Sequence, residues 1–344
     1  MPRALHGAGG REMAENLTMA KALEPQALAA LAQYDLPEPE GLELLTFSEN
    51  AVFRADLPGQ GPVVVRLHSL GYHTSAEIES ELLWIDALRR DGAVVTAGIL
   101  RARDGRQVVT AGHSSLPDRH AVVFEHLEGK EPGPDSLVDD FVLLGHTTAL
   151  LHRHAVSWQL PTSFQRFSWD EAGTLGTSGH WGDWHHGPNL DEPTTHLLAR
   201  AAALVRDRLR SYGKQPARYG LIHADLRLAN LLVDGTTVKV IDFDDCGFSW
   251  FLYDLASALT FMEDDPRVPE LVSSWLEGYR RARALDVADE EEIPTFLMLR
   301  RLVIFAWLGS RPGTELVASL GAEYARITAE LAEAYLSRTS RARG

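Results

Sequence analysis

Three polar residues, His223, Asp225 and Asn230, stand in the pattern His-x-Asp-x-x-x-x-Asn between the apolar runs Leu221-Ile222 and Leu231-Leu232-Val233. The flanks anchor a loop and turn its polar side chains toward a cleft. An Asp five residues ahead of an Asn suits phosphoryl transfer. The carboxylate orients a hydroxyl and accepts its proton, and the amide oxygen holds Mg²⁺. Twelve residues past Asn230, at the end of an apolar run, Asp242 offers a second hard oxygen ligand. Two protein ligands suffice for Mg²⁺, because phosphate oxygens and water complete its shell. Taken singly, Asp225 and Asn230 read equally well as turn residues and Asp242 as a cap. Their order, with a β-hairpin turning at Asp234-Gly235 between the last two, favours the base-and-metal reading.

Phosphoryl transfer from a nucleotide also needs a cation on a strand of the nucleotide-binding sheet. In Val63-Val64-Val65-Arg66-Leu67 the alternation sets Arg66 on the face opposite Val63, Val65 and Leu67. A guanidinium binds phosphate in a bidentate manner; a solvent-facing strand Arg is the alternative. Its carboxylate partner belongs on the following helix, where Glu77, Glu79 and Glu81 compete.

The elements that must carry these groups follow from periodicity. Residues 1–20 read as a disordered leader, followed by a short Ala/Leu helix over about 25–34. Strands are expected over 42–47, 51–57 and 63–67, then a helix over 74–90 with Thr74 and Glu77 as a capping box. Two further strands follow, over 107–111 and 121–125. The order β-β-β-α-β-β implies a small antiparallel sheet with one inserted helix. The remainder reads as mostly helical, over about 139–155, 194–212, 251–262, 269–283, 290–308 and 314–336. Short β-runs at 220–223 and 231–241 frame the polar motif. The division is a nucleotide-binding lobe over 21–125 and a catalytic and substrate-binding lobe over 126–344.

His223-Ala224-Asp225 through Asn230, Asp242-Phe243-Asp244-Asp245 and Tyr253-Asp254-Leu255-Ala256 resemble the superfamily of aminoglycoside phosphotransferases, choline kinases and type II homoserine kinases. Within it they resemble the bacterial stress-response kinase A type, and the resemblance covers roughly residues 40–335. It implies an α+β, protein-kinase-like two-lobed fold with a five-stranded antiparallel N-lobe and a mostly helical C-lobe. It implies Asp225 as the catalytic base, Asn230 and Asp242 as Mg²⁺ ligands, His223 as a buried loop histidine and Asp254 as a buried acceptor bracing the loop. Arg66 stands where the family more often has Lys, and Glu81, three residues before Trp84, best fits the family's Glu-x-x-Trp arrangement. The loop Ser48-Glu49-Asn50 is similar to the family's short phosphate-capping loop, with Ser48, Asn50 and backbone N–H groups over the phosphates. Adenine is expected at the crossover Phe124-Glu125-His126-Leu127, read by backbone groups around Glu125 and Leu127. Asp244 and Asp245 touch metal or substrate, or are solvated loop carboxylates. ATP and Mg²⁺ are the implied cofactors.

Composition narrows the partners. A net charge of −15 over 344 residues opposes a nucleic-acid partner. It suits either a cationic substrate or plain solubility. One cysteine, Cys246, excludes an intrachain disulfide and a multi-cysteine zinc site. The N-terminal segment lacks a signal peptide's apolar stretch. The longest apolar run, Leu302–Leu308, is too short to span a bilayer, so a cytoplasmic protein without a membrane partner is expected. The segment Ser168 to His186 carries Trp169, Trp181 and Trp184 and reads either as packing or as a substrate wall. Trp181 and Trp184 beside Asp244 would suit an ammonium group. Three classes compete: a small-molecule alcohol kinase for an aminoglycoside, amino alcohol or sugar; a Ser/Thr protein kinase; and a non-catalytic nucleotide-binding module. The absence of an Ala-Pro-Glu segment after Asp242 weakens the second, and the retention of Asp225, Asn230 and Asp242 opposes the third.

Overall fold

The computed structural model describes residues 10–47, 49–133 and 136–341. The first helix, α1 (Gly10–Leu31), begins well before the expected residue 25, so residues 10–20 are helical rather than a disordered leader. Residues 1–9 lie outside the described residues. There follow β1 (Gly41–Phe47), β2 (Ala51–Asp56), β3 (Val63–Leu67), α2 (Ser75–Arg90), β4 (Val95–Thr96), β5 (Val108–His113) and β6 (Leu116–Glu125). Five of these strands form one antiparallel sheet in the order β1-β2-β3-β6-β5.

Strand alternation divides this sheet into two faces. Val63, Val65 and Leu67 join Phe53, Ala111 and Val123 under Leu23, Ala27 and Leu31 of α1. Gln26 Nε2 ties the helix down by donating to the carbonyls of Ala111 at 3.0 Å and Pro117 at 2.9 Å. The opposite face receives α2, whose capping box is formed as expected: Thr74 accepts from the Glu77 N–H, and Glu77 accepts from the Thr74 N–H. Ile78, Leu82, Trp84, Ile85 and Leu88 of α2 merge with the larger core of the second lobe.

That lobe contains α3 (Leu137–Ser157), α4 (Glu171–Leu175), α5 (Glu192–Tyr212), β7 (Tyr219–Ile222), β8 (Leu231–Asp234), β9 (Thr237–Val240) and β10 (Gly247–Trp250). The helices α6 (Leu252–Ala258), α7 (Val268–Arg280), α8 (Val287–Glu290), α9 (Ile293–Gly309) and α10 (Glu315–Arg341) complete it. β7 pairs with β10, and the hairpin β8-β9 pairs in parallel with β4 from the first lobe. The buried face of α3 is Phe141, Leu144, Thr148 and Leu151. It lies against α7 so closely that a Cβ on Gly145 would collide with the Trp275 carbonyl, and one on Gly278 with the Val142 carbonyl. No helix among the described residues is long and apolar enough to cross a membrane.

Candidate active site

The loop that carries His223, Asp225 and Asn230 runs from the end of β7 to the start of β8, and its shape is imposed from below. Ala224 adopts φ +66°, a conformation unfavourable for a residue with a Cβ. It is held there by Asp254, fully buried on α6, whose carboxylate accepts from the Ala224 N–H at 2.7 Å and the His223 N–H at 3.2 Å. His152 Nε2 donates to the same carboxylate at 2.9 Å. An imidazole donating through Nε2 accepts at Nδ1, where Tyr279 OH lies at 2.9 Å, and Arg283 donates to that hydroxyl at 2.6 Å. A buried polar chain thus runs from Arg283 to the loop backbone. Burial holds the His152 and His223 imidazoles below their ordinary range. His223 Nε2 meets the Ile241 carbonyl at 3.1 Å, joining the loop to the segment that carries Asp242.

Above this base the Asp225 carboxylate is fixed from two sides. Oδ1 accepts from Arg300 Nη2 at 2.8 Å, and Oδ2 from Arg227 Nε at 3.1 Å and Asn230 Nδ2 at 3.2 Å. Asn230 Nδ2 also donates to the Asp225 carbonyl at 2.8 Å, so its oxygen is the end left for another ligand. Arg300 escaped the sequence reading. It is 1 % exposed on α9 and also donates to Thr260 Oγ1, the Ala224 carbonyl and Tyr253 OH. The available signal was the Arg300-Arg301 pair inside an otherwise apolar helix, since buried charges occur almost only with partners.

Arg66 faces α2, opposite the α1 side, and its Nη2 donates to both carboxylate oxygens of Glu81 at 2.8 Å. Of the three candidate glutamates, Glu81 is the partner. Burial opposes the Arg66 charge, but Glu81, Asp244 and Asp242 hold it above its ordinary range. Among the described residues its Nη1 makes no hydrogen bond, and it lies 3.8 Å from Asp244 and 4.0 Å from Asp242. That leaves one donor directed at the acidic end of the cleft.

Asp242 takes φ +61°, which turns its side chain toward the cleft, and Phe243 beside it packs edge-on against Trp84 of α2. Burial first, then the Asp244 charge, pushes the Asp242 carboxyl up to about 7, with Arg66 opposing. The side chain is 53 % exposed at the cleft, so solvent moderates that rise. Asp244 behaves oppositely. Burial would raise it, but contacts to His68 at 3.4 Å and His73 at 3.5 Å, with the Arg66 charge, hold it well below the usual carboxylate range. Asn50 Nδ2 donates to Asp244 at 2.9 Å while its oxygen accepts from the Ser69 N–H at 3.1 Å. The Asn50 amide therefore ties the β1–β2 loop to Asp244. Ser48 lies outside the described residues. Glu49 reaches across to the second lobe, accepting from Trp307 Nε1 at 2.9 Å and from Arg311.

At the crossover, Glu125 is exposed and pairs with Arg89 at 3.3 Å, while residues 126–129, including half-buried Leu127, run outside any strand. The tryptophans separate. Trp181 lies in the cleft wall, 4.9 Å from the Arg300 guanidinium and donating to Tyr72 OH at 2.8 Å. Trp184, expected beside it as a substrate wall, is 2 % exposed and stacked on His185, so it is a core residue. Asp244, expected to face an ammonium, is already neutralised. Asp245 is half-buried instead, accepts from Tyr72 OH at 2.6 Å, and is pushed up by burial and by the charges of Asp225 and Asp244. Burial pushes the Cys246 thiol up to about 12, as befits a packing residue.

An amide oxygen and a carboxylate facing one cleft, with a free guanidinium donor nearby, form a donor set of hard oxygens suited to a divalent ion shared with phosphate. Residues 21–290 match the model of the phosphotransferase enzyme family. Amicoumacin kinase of Bacillus subtilis (strain 168) is 28 % identical over 303 residues, covering 83 % of this chain and 84 % of its own. The structure of a microcompartment-associated aminopropanol kinase is 44 % identical, with a TM-score of 0.84 over 94 % of this chain and 98 % of that one. The amicoumacin kinase hAmiN, in complex with AMP-PNP, Ca²⁺ and Ami, shares the fold at 21 % identity and a TM-score of 0.73, covering 98 % and 97 %. None of these three names specifies the stress-response kinase A branch. With a protein-kinase-like fold and this match over most of its length, the chain belongs to the phosphotransferase enzyme family and is an ATP-dependent kinase.

Proposed function

We propose that the protein transfers the γ-phosphate of ATP to the hydroxyl of a small amine-bearing alcohol, with Asp225 as the catalytic base. The observation that carries this is the fixed carboxylate of Asp225 beside Asn230 and Asp242. The lobe over residues 21–125 serves the nucleotide, and residues 126–344 serve catalysis and the acceptor. Arg66 Nη1 is the donor for α/β-phosphate oxygens, and the backbone around Glu125 and Leu127 receives adenine. Asn230 Oδ1 and Asp242 would hold Mg²⁺. When bound, that ion screens the phosphate charge.

The chain's own groups do the rest. Arg300 and Asn230 fix the Asp225 carboxylate from opposite sides, so the remaining lone pairs are aimed rather than free to rotate. An acceptor hydroxyl bonded to that carboxylate is oriented for in-line attack and delivers its proton there; the new O–P bond forms as the bond to the ADP oxygen breaks. Arg227 is tethered through Nε alone, and its Nη groups have no protein partner among the described residues. They suit the charge that spreads over the transferring phosphoryl oxygens. An amine-bearing acceptor is favoured by the carboxylate-rich wall and by the relative named as an aminopropanol kinase. The test is acceptor-dependent ADP release with purified protein and a panel of amino alcohols, aminoglycosides, sugars and a generic protein substrate. Turnover with amino alcohols supports the reading, and turnover confined to sugars or protein refutes it.

A further inference from the structure

The carboxylates of the cleft differ in how they are neutralised. Glu81 has Arg66, Asp225 has Arg300 and Arg227, and Asp242 and Asp244 both lie within 4.0 Å of Arg66 Nη1. Among the described residues, no cation lies within 4.0 Å of the Asp245 carboxylate, and its side-chain hydrogen bond is to the neutral Tyr72 hydroxyl at 2.6 Å. Arg300 and Arg166 act on it only from beyond contact, and a half-buried carboxylate with no cation in contact is unfavourable unless something cationic arrives.

The surrounding hydrogen bonds leave one Asp245 oxygen available. Trp181 Nε1–H can only donate, and its acceptor is Tyr72 OH at 2.8 Å. The Tyr72 proton must then go to Asp245 Oδ1, which leaves Oδ2 without a hydrogen-bond partner among the described residues. The Asp245 backbone is also held, because Trp169 Nε1 donates to its carbonyl at 2.8 Å. Trp169 packs edge-on to Trp181 at 5.0 Å and stacks on Tyr253 at 6.1 Å, and Tyr253 bonds Arg300. Trp181 therefore touches both the residue that fixes Asp225 and the residue that fixes Asp245. The Asp225 charge also acts on Asp245, so the two carboxylates belong to one part of the cleft.

We infer that Asp245 Oδ2 receives the ammonium group of the acceptor whose hydroxyl is presented to Asp225, with the Trp181–Tyr72 relay holding the carboxylate through Oδ1. The inference rests on the amine-bearing acceptor proposed above and adds the residues that read the amine. Tyr72 comes from the β3–α2 loop, Trp181 from the insertion before α5 and Asp245 from the segment after Asp242, so the subsite draws on both lobes. A neutral isostere entering it leaves Asp245 unpaired, which is the stronger kind of discrimination.

The experiment compares 1-amino-2-propanol with its isostere 1,2-propanediol for the wild type, Asp245→Asn, Asp245→Glu and Tyr72→Phe. The wild type should prefer the amine by about 10² or more in kcat/KM. Asp245→Asn should lower kcat/KM for the amine about 100-fold, mainly through KM, and leave the diol within about threefold. Asp245→Glu should restore part of the preference. Tyr72→Phe, which removes one hydrogen bond, should raise the amine KM by about 3–10-fold with kcat nearly unchanged. AMP-PNP affinity should stay near the wild-type value in all three variants. An Asp245→Asn protein that keeps the wild-type amine-to-diol ratio overturns the inference and leaves the amine-bearing acceptor standing. A wild type without amine preference overturns both. If Asp245→Asn does not fold, the ratios for Tyr72→Phe and Asp245→Glu decide in the same way, unchanged ratios in both being the refuting result.

Discussion

Replacing Asp254 by Ala isolates the part of the site that positions Asp225, the proposed base. In the native chain its carboxylate accepts from two backbone N–H groups and from His152, all in a fully buried setting. Removing the acceptor strands three donors, each worth about 1–3 kcal/mol when left unsatisfied. A water entering the vacated space would recover part of this. The net loss should be about 3–5 kcal/mol, or on the order of 5–10 °C in Tm. Ala224 at φ +66° then loses what holds it, and a backbone strain of about 1–3 kcal/mol is free to relax. Relaxation displaces Asp225, and a displacement of about 1 Å costs roughly 100-fold in kcat. Asp254→Asn keeps one acceptor oxygen but turns an NH₂ group toward a donor, so it should fall between wild type and Ala. The assays are thermal and denaturant unfolding beside steady-state kinetics. An Asp254→Ala protein within about 1 kcal/mol of wild-type stability and threefold of its kcat would refute the bracing role.

Asp242→Asn should stabilise the metal-free protein while abolishing transfer. The folded carboxyl holds its proton up to about 7 against an ordinary 3.8, so stability falls as pH rises between those values. With its half exposure allowed for, Asn should recover on the order of 1–2 kcal/mol above pH 7, and denaturant unfolding at pH 5 and 8 would show it. Equal stability of the two proteins at pH 8 would count against the crowded-carboxylate account. Gly278→Ala should cost about 3 kcal/mol or more, because the added methyl meets the Val142 carbonyl and α3 and α7 must separate. A Tm unchanged by that substitution would show the helix contact to be softer than it looks.

Much of the site was legible because it is local or strictly periodic. Asp225 and Asn230 lie five residues apart in one loop, Asp242 follows a hairpin, and Arg66 is placed by alternation along a five-residue strand. The antiparallel sheet and α2, with its capping box, follow from the same signals. What escaped depends on chain segments far apart in sequence. β4 has two residues and exists because β9 offers it a parallel edge, and the four residues of β10 fell in no expected element because its pairing with β7 leaves no period of its own. Tyr72 meets Asp245 across 173 positions, and Arg300 meets Asp225 across 75, so no spacing rule reaches either pair. Trp181 and Trp184 sit three residues apart in the same insertion, and only packing decides that one lines the cleft while the other fills the core. The β1–β2 loop was expected to present Asn50 to phosphate; tertiary contacts instead employ its amide to hold Asp244.

The central claim is that Asp225 is the base for phosphoryl transfer to a small alcohol. Its most direct test is single-turnover transfer from [γ-³²P]ATP to 1-amino-2-propanol, with the product analysed for a phosphoester at the hydroxyl, in wild type and Asp225→Asn. The account predicts a labelled phosphoester from wild type and a transfer rate lowered by about 10²–10⁴ in the variant, with AMP-PNP affinity retained. An Asp225→Asn protein transferring phosphate within a few-fold of the wild-type rate would contradict it.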